Sequence, residues 1–204
     1  MKSKEIKFSI ITPVYNREDC IRRCIESVRD QKYPFVEMWI IDDGSSDSTP
    51  AIVDDYKSKY NFIKSHRFES NKGVNAARNY GIRHSEGDFV MFLDSDDYLV
   101  DDALNYINEF ITNDRFQHTH YLFAQDDMIT LYESNPHLVS DTNYIYFSSF
   151  LLNQVGGDFT HVMNRDLIQK HLFPENFRIY EIISFLHIFK EAQPLVFNKK
   201  NCCE

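Results

Sequence analysis

The chain has 204 residues, 43% of them hydrophobic and 26% charged, which suits one buried core and excludes wholesale disorder. A net charge of −9 repels nucleic-acid phosphates and argues against a nucleic-acid reader. The longest nearly apolar stretch, Tyr144 to Leu152, falls far short of the roughly 18 residues a membrane span needs.

Short β-branched runs alternate with helical patterns through the first half, the sign of βαβ units and a mostly parallel sheet. Phe8-Ser9-Ile10-Ile11 reads as the first strand. Ile21, Cys24, Ile25 and Val28 then recur at helical spacing and place Cys24 in the core. Val36 to Ile41 reads as the second strand, stopping at Asp42-Asp43-Gly44-Ser45-Ser46-Asp47. Glycine and serines make a turn there, with Asp47 assigned to the cap of the next helix, which Ile52, Val53, Tyr56 and Tyr60 carry. Asn61 to Phe68 reads as a short edge strand and Lys72 to Ser85 as a helix. Phe89 to Leu93, the most apolar run, is expected to be a central strand buried on both faces, ending at Asp94-Ser95-Asp96-Asp97. A helix follows over about residues 101–113. Beyond it the pattern weakens to strands at Tyr121–Ala124 and Phe159–Met163, an aromatic-rich helix over Tyr144–Asn153, a helix over Glu181–Glu191 and an apolar run at Leu195–Phe197.

Ligands of open α/β sheets bind at the carboxyl ends of parallel strands, and three such ends carry polar clusters here. They are Thr12 to Asn16, Asp42 to Ser45, and Asp94 to Asp97. Several carboxylates at one edge repel unless a cation, donors or solvent offsets them, and hard oxygen ligands suit Mg²⁺ or Mn²⁺ bridging to substrate phosphates. Alternation along an extended segment points Asp94 and Asp96 to the same side, so both address one ligand. A D-x-D pattern alone is weak, since about two matches arise by chance in so acidic a chain. Its position at a strand end carries the information.

The residues Ser9 to Asn16, Ile41 to Thr49, Asn71 to Gly81 and Gly87 to Asp97 form four ordered motifs that resemble the inverting family 2 glycosyltransferases, whose fold is GT-A. The resemblance is strong from residue 8 to about 110 and thin afterward. It implies an α/β fold with a mostly parallel, Rossmann-like central sheet flanked by helices. It also implies one domain over residues 1–204, with a nucleotide-sugar-binding half at about 6–113 and an acceptor-side half at about 114–204 that a truncated chain would leave incomplete. Carried onto this sequence, the Pro13 backbone and Tyr15 line a base pocket, Asp42 accepts from the base, and Arg78 lies near the nucleotide. Asp94 contacts ribose, Asp96 holds the diphosphate-bound Mn²⁺ or Mg²⁺, and Ser95 sits between them. A carboxylate accepting from an imide N–H favours uracil over cytosine, so a UDP-sugar is the implied donor. The implied acceptor is a saccharide or a lipid-linked saccharide. His161 reads as structural, with a later metal ligand as the alternative.

One position departs from the resemblance. The family's base is the aspartate of a Glu-Asp pair, and the matching segment here reads Glu181-Ile182. Glu181 in a shifted register is the first choice for the base, with Glu175 and Asp158 next; a donor-binding chain impaired in transfer is the alternative. A receiver-type phosphoacceptor domain is a weaker rival, because it leaves the Thr12–Asn16 and Asn71–Gly81 blocks unexplained. The cysteines Cys20, Cys24, Cys202 and Cys203 form no metal or disulfide pattern, and the first residues lack a secretory apolar region. The expectation is a cytoplasmic protein at the inner face of a membrane, peripherally associated, with homo-oligomers allowed.

Overall fold

The computed structural model describes residues 5–124, 159–175, 181–192 and 195–197. In chain order the elements are β1 (Phe8–Val14), α1 (Ile21–Arg29), β2 (Val36–Asp42), α2 (Thr49–Lys59), β3 (Ile63–Arg67), α3 (Val74–His84) and β4 (Phe89–Phe92). They continue as α4 (Ala103–Asn113), β5 (His120–Ala124), β6 (Phe159–Asn164), α5 (Arg165–Lys170), α6 (Glu181–Glu191) and β7 (Leu195–Phe197). The sequence-based helix over Tyr144–Asn153 and the candidate base Asp158 lie outside the described residues.

Seven strands form one sheet in the order β3-β2-β1-β4-β6-β5-β7. β1 pairs in parallel with both β2 and β4, and β2 with β3, while β6 runs antiparallel to β4 and β5. The strand order therefore reverses between β1 and β4, and crevices at such switch points hold ligands in open α/β sheets.

Alternation along the strands divides the core into two layers. Phe8, Ile10, Met38, Ile40 and Met91 pack on one face with Ile25 and Val28 of α1, Val53 of α2 and Ile107 of α4. On the other face, Ile11 and Val90 pack with Ile82 of α3, Ile168 of α5 and Ile188 of α6.

β1 runs three residues beyond the apolar run that predicts it. Pro13 sits within it opposite Ile41 of β2. The Ile11 carbonyl accepts from Leu93 N–H at 3.1 Å and the Val14 carbonyl from Asp43 N–H at 2.8 Å, so Ile11 and Pro13 face β4 and Val14 faces β2. Pro13 has no N–H to offer the next rung toward β4, which ends at Phe92, while the pairing of β1 with β2 continues to Val14. α5 was not legible in the sequence; it is six residues long, and the Asn164 side chain starts it by accepting from Asp166 and Leu167 N–H groups.

Candidate functional site

A crevice of about 470 Å³ opens at the carboxyl ends of β1 and β4. Pro13, Tyr15, Arg78, Asp94, Ser95 and Asp96 all line it, so six of the seven residues expected at the nucleotide and the metal meet in one place. Asp42 is not among the lining residues; its neighbour Asp43 is. Arg17, Asn71, Gly73 and Val74 line it too and were not singled out beforehand.

Two loops build the β1 side. Asn16 adopts a left-handed conformation, φ 51°, donates its N–H to Ser45 Oγ at 2.9 Å, and accepts from Ser46 N–H at 2.8 Å. Asp47 accepts from Glu18 N–H at 3.1 Å and from Thr49 N–H at 3.0 Å, which joins the start of α2 to the loop after β1, although the cap position itself falls one residue later than expected, at Ser48. Tyr15 emerges from this frame as an exposed aromatic, 45% accessible, with its ring beside the crevice.

The Asp42-Asp43 doublet divides its work. Asp42 is buried, accepts from Ser45 N–H at 2.9 Å, and pairs with Arg67 Nε at 3.2 Å. Asp43 accepts from the N–H groups of Lys72 at 2.6 Å and Gly73 at 2.9 Å, which fixes the loop entering α3. Gly44 follows the doublet at φ 79°, and a Cβ there would stand 3.0 Å from the backbone of Ser70 and Asn71. Only glycine lets the two loops approach so closely.

α3 carries the cationic wall. Arg78 is nearly buried and donates to Asp94 Oδ1 at 3.1 Å, while its guanidinium lies over Phe92 at 5.4 Å and Phe173 at 5.8 Å. One residue on, the Asn79 amide brackets a backbone: Nδ2 donates to the Phe173 carbonyl and Oδ1 accepts from Phe173 N–H, both at 2.8 Å. Asn75 Nδ2 adds a bond to the Pro174 carbonyl at 3.1 Å. The asparagines of the Asn71–Gly81 block thus clamp residues 173–174 against the pocket wall, a role that no local pattern announces.

The segment after β4 is a turn, closed by Asp97 N–H to the Asp94 carbonyl at 3.0 Å, so the alternation argument for Asp94 and Asp96 does not hold. Both residues nevertheless line the crevice, because the turn projects from the switch point itself. Arg23 Nη2 holds it by donating to the Asp96 carbonyl at 2.6 Å. The Asp96 carboxylate stays exposed, with Arg17 Nη2 at 4.0 Å from Oδ2.

Among the described residues no three His, Cys, Asp or Glu side chains converge to hold a metal ion. The crevice instead offers an exposed Asp96 and an Asp94 already bonded to Arg78. That set does not fit an all-protein cage. It fits Mg²⁺ or Mn²⁺ held by few protein carboxylates and completed by water and phosphate oxygens.

Among the candidates for the base, Glu175 accepts from Asn79 Nδ2 at 2.8 Å and Arg83 Nη2 at 3.2 Å. The Asn79 hydrogen bond, then Arg83, hold its pKa below the usual carboxylate range, which weakens it as a base and marks it as part of the clamp. Glu181 opens α6. One turn later Ser184 Oγ donates to the Leu172 carbonyl at 3.1 Å, which ties the start of α6 to the clamped segment. His161 faces His120, Nδ1 to Nε2 at 3.0 Å, and its ring lies 4.3 Å from that of Phe185. Burial first, then Arg78, push its pKa down to about 3, in keeping with a structural imidazole.

Residues 9–172 match the model of glycosyl transferase family 2. The chain belongs to that family. A glycosyltransferase of Haemophilus influenzae described as uncharacterized is 32% identical over 186 residues, which cover 91% of this chain and 72% of that protein. The GalNAc(5)-diNAcBac-PP-undecaprenol β-1,3-glucosyltransferase of Campylobacter jejuni is 29% identical over 192 residues, covering 91% and 60%. Staphylococcus aureus TarS 1–349, solved in complex with UDP, superposes with a TM-score of 0.77 at 26% identity over 97% of this chain and 59% of that one. This family 2 glycosyltransferase has the GT-A fold, and it spans about three fifths of the length of the latter two relatives. No helix among its described residues is long and apolar enough to cross a membrane.

Proposed function

We propose that this chain transfers a sugar from a UDP-sugar to a hydroxyl of a saccharide or lipid-linked acceptor, with inversion at the sugar carbon. The observation that carries the reading is the meeting of Pro13, Tyr15, Arg78, Asp94, Ser95 and Asp96 around one crevice at the switch point. TarS, 26% identical, has been solved with UDP and with UDP-GlcNAc, which supports a uridine nucleotide. A PP-undecaprenol-linked saccharide in the C. jejuni enzyme's name, and poly(ribitol-phosphate) in that of a Bacillus spizizenii glucosyltransferase, support the acceptor class.

In this reading Tyr15 gives the base a stacking face beside the Pro13 backbone. Asp94, steadied by Arg78, meets the ribose, with Ser95 beside it, and Asp96 holds the divalent cation, Mn²⁺ or Mg²⁺. When bound, the cation supplies charge neutralisation for the departing diphosphate. Asp42, bonded to Ser45 N–H and paired with Arg67, accepts from the imide N–H with the lone pairs these partners leave open. The acceptor oxygen attacks the sugar carbon opposite the diphosphate, the carbon–oxygen bond to UDP breaks with its electron pair leaving on UDP, and the hydroxyl proton passes to Glu181. Saturating UDP with Mn²⁺ should raise the melting temperature, since ligand at 100 times its dissociation constant adds about 2.7 kcal/mol. An unmoved transition would defeat the donor-site reading.

Ile182, standing where the family's pattern has its aspartate, favours a second reading: a donor-binding chain with impaired transfer. The two part on a pair of variants. Ile182→Asp should speed transfer to a suitable acceptor in an impaired chain by about 10² to 10⁴. Glu181→Gln should abolish transfer with UDP affinity unchanged if Glu181 is the base. Rapid turnover indifferent to both substitutions would move the base elsewhere.

A further inference from the structure

We propose that Arg17 is a diphosphate-binding residue that supplies part of the neutralising charge when no cation is bound. The inference rests on the donor-site reading above. Two guanidiniums line the crevice, and they are held differently. Arg78 is 10% exposed, bonded to Asp94 and faced by two phenylalanine rings. Arg17 is anchored through its backbone: its N–H donates to Thr49 Oγ1 at 2.8 Å, and its carbonyl accepts from Cys20 and Ile21 N–H at 3.2 and 3.0 Å. Its side chain is 47% exposed, with Nη1 3.4 Å from the Asn16 carbonyl and Nη2 4.0 Å from Asp96 Oδ2. The anchor point is therefore set while the charged fork can swing over the crevice.

The charge balance gives that fork a task. A diphosphate entering between Asp94 and Asp96 meets carboxylates of its own sign. A cation on Asp96 offsets the repulsion, and Arg17 stands beside the same carboxylate. An exposed ion pair at that distance contributes little, so exchanging the carboxylate for phosphate oxygens costs little, and a guanidinium fork matches phosphate geometry. Arg23 also approaches Asp96, but it is committed to the backbone carbonyl and to the Tyr98 ring at 4.5 Å.

Calorimetric titration of UDP and uridine into the wild type, Arg17→Ala, Arg17→Gln and Arg17→Lys, in EDTA and in Mn²⁺, tests the proposal. In EDTA, Arg17→Ala and Arg17→Gln should bind UDP roughly ten-fold more weakly and uridine as tightly as the wild type, and Arg17→Lys should recover part of the loss. With Mn²⁺ the deficit should shrink. Equal UDP affinities across the variants in EDTA would overturn the proposal, as would an equal loss for uridine or wild-type binding that is undetectable without Mn²⁺. If the wild type binds no UDP even with Mn²⁺, the donor-site reading fails and this inference falls with it. Arg17→Gln keeps the stem and a donor amide, so the comparison stands should Arg17→Ala fail to fold.

Discussion

Asp96 and Tyr15 line the same crevice but differ in what a conservative substitution removes. Asp96→Asn keeps the shape and loses the charge, so cation-dependent UDP binding should fall by ten-fold or more, roughly the worth of a charged contact. Tyr15→Phe keeps the stacking face and should change UDP affinity little. Titrations with and without Mn²⁺ check this; equal Mn²⁺ dependence in the wild type and Asp96→Asn would remove Asp96 as a ligand. These residues were legible because strand-end position and residue type suffice to single them out. The division between Asp42 and Asp43 was not, because it depends on Lys72 and Gly73, about thirty residues away, presenting N–H groups to one carboxylate and on Arg67 reaching the other.

Helix α3 shows how an element carries both core and site. Its inner face is small where it crosses β1: Ala77 is fully buried, and a Cβ on Gly81 would sit 2.5 Å from Ile11 Cγ2. Alanine in place of a mid-helix glycine ordinarily stabilises by about 1 kcal/mol. Here overpacking against a β-branched side chain on the central strand should win, and Gly81→Ala should destabilise by about 1–3 kcal/mol in urea unfolding. A raised midpoint would mean that α3 shifts without penalty. The apolar spacing of α3 was readable, but its polar residues Asn75 and Asn79 were not. They act on a backbone segment nearly a hundred residues later, and sequence spacing carries no trace of that contact.

Across the whole molecule, the second half of the sheet brings an imidazole pair together, His120 of β5 against His161 of β6. Burial drives both His120 and His161 well below the ordinary histidine pKa. Depressed folded values mean that the unfolded chain binds the extra protons. The pair's stabilisation is therefore whole above about pH 6.5 and is lost progressively as pH falls toward about 3. The melting temperature should drop between pH 7 and pH 5. His161→Gln should lessen the slope by about one proton, near 1.4 kcal/mol per pH unit. An unchanged slope would show that His161 does not govern it. Glu37, Glu86 and Glu175, held below their ordinary values by lysine, arginine and amide partners, lose their contribution only at lower pH.

By itself the sequence determined the alternation of strands and helices from β1 to α4, the weaker signals of β5, β6, α6 and β7, the acidic strand ends and the resemblance that named the family. Those signals are local: apolar periodicity, turn residues and short motifs survive without knowledge of what lies opposite. Tertiary structure decided the rest. The extension of β1 through Pro13 rests on its pairing with β2, which continues to Val14 opposite Asp42. The antiparallel insertion of β6 between β4 and β5, the clamp of Asn79 on Phe173 and the entry of Arg17 into the crevice are likewise contacts between distant segments. Such contacts depend on register and strand order, which pairing energies across the sheet select and which periodicity along one segment does not encode.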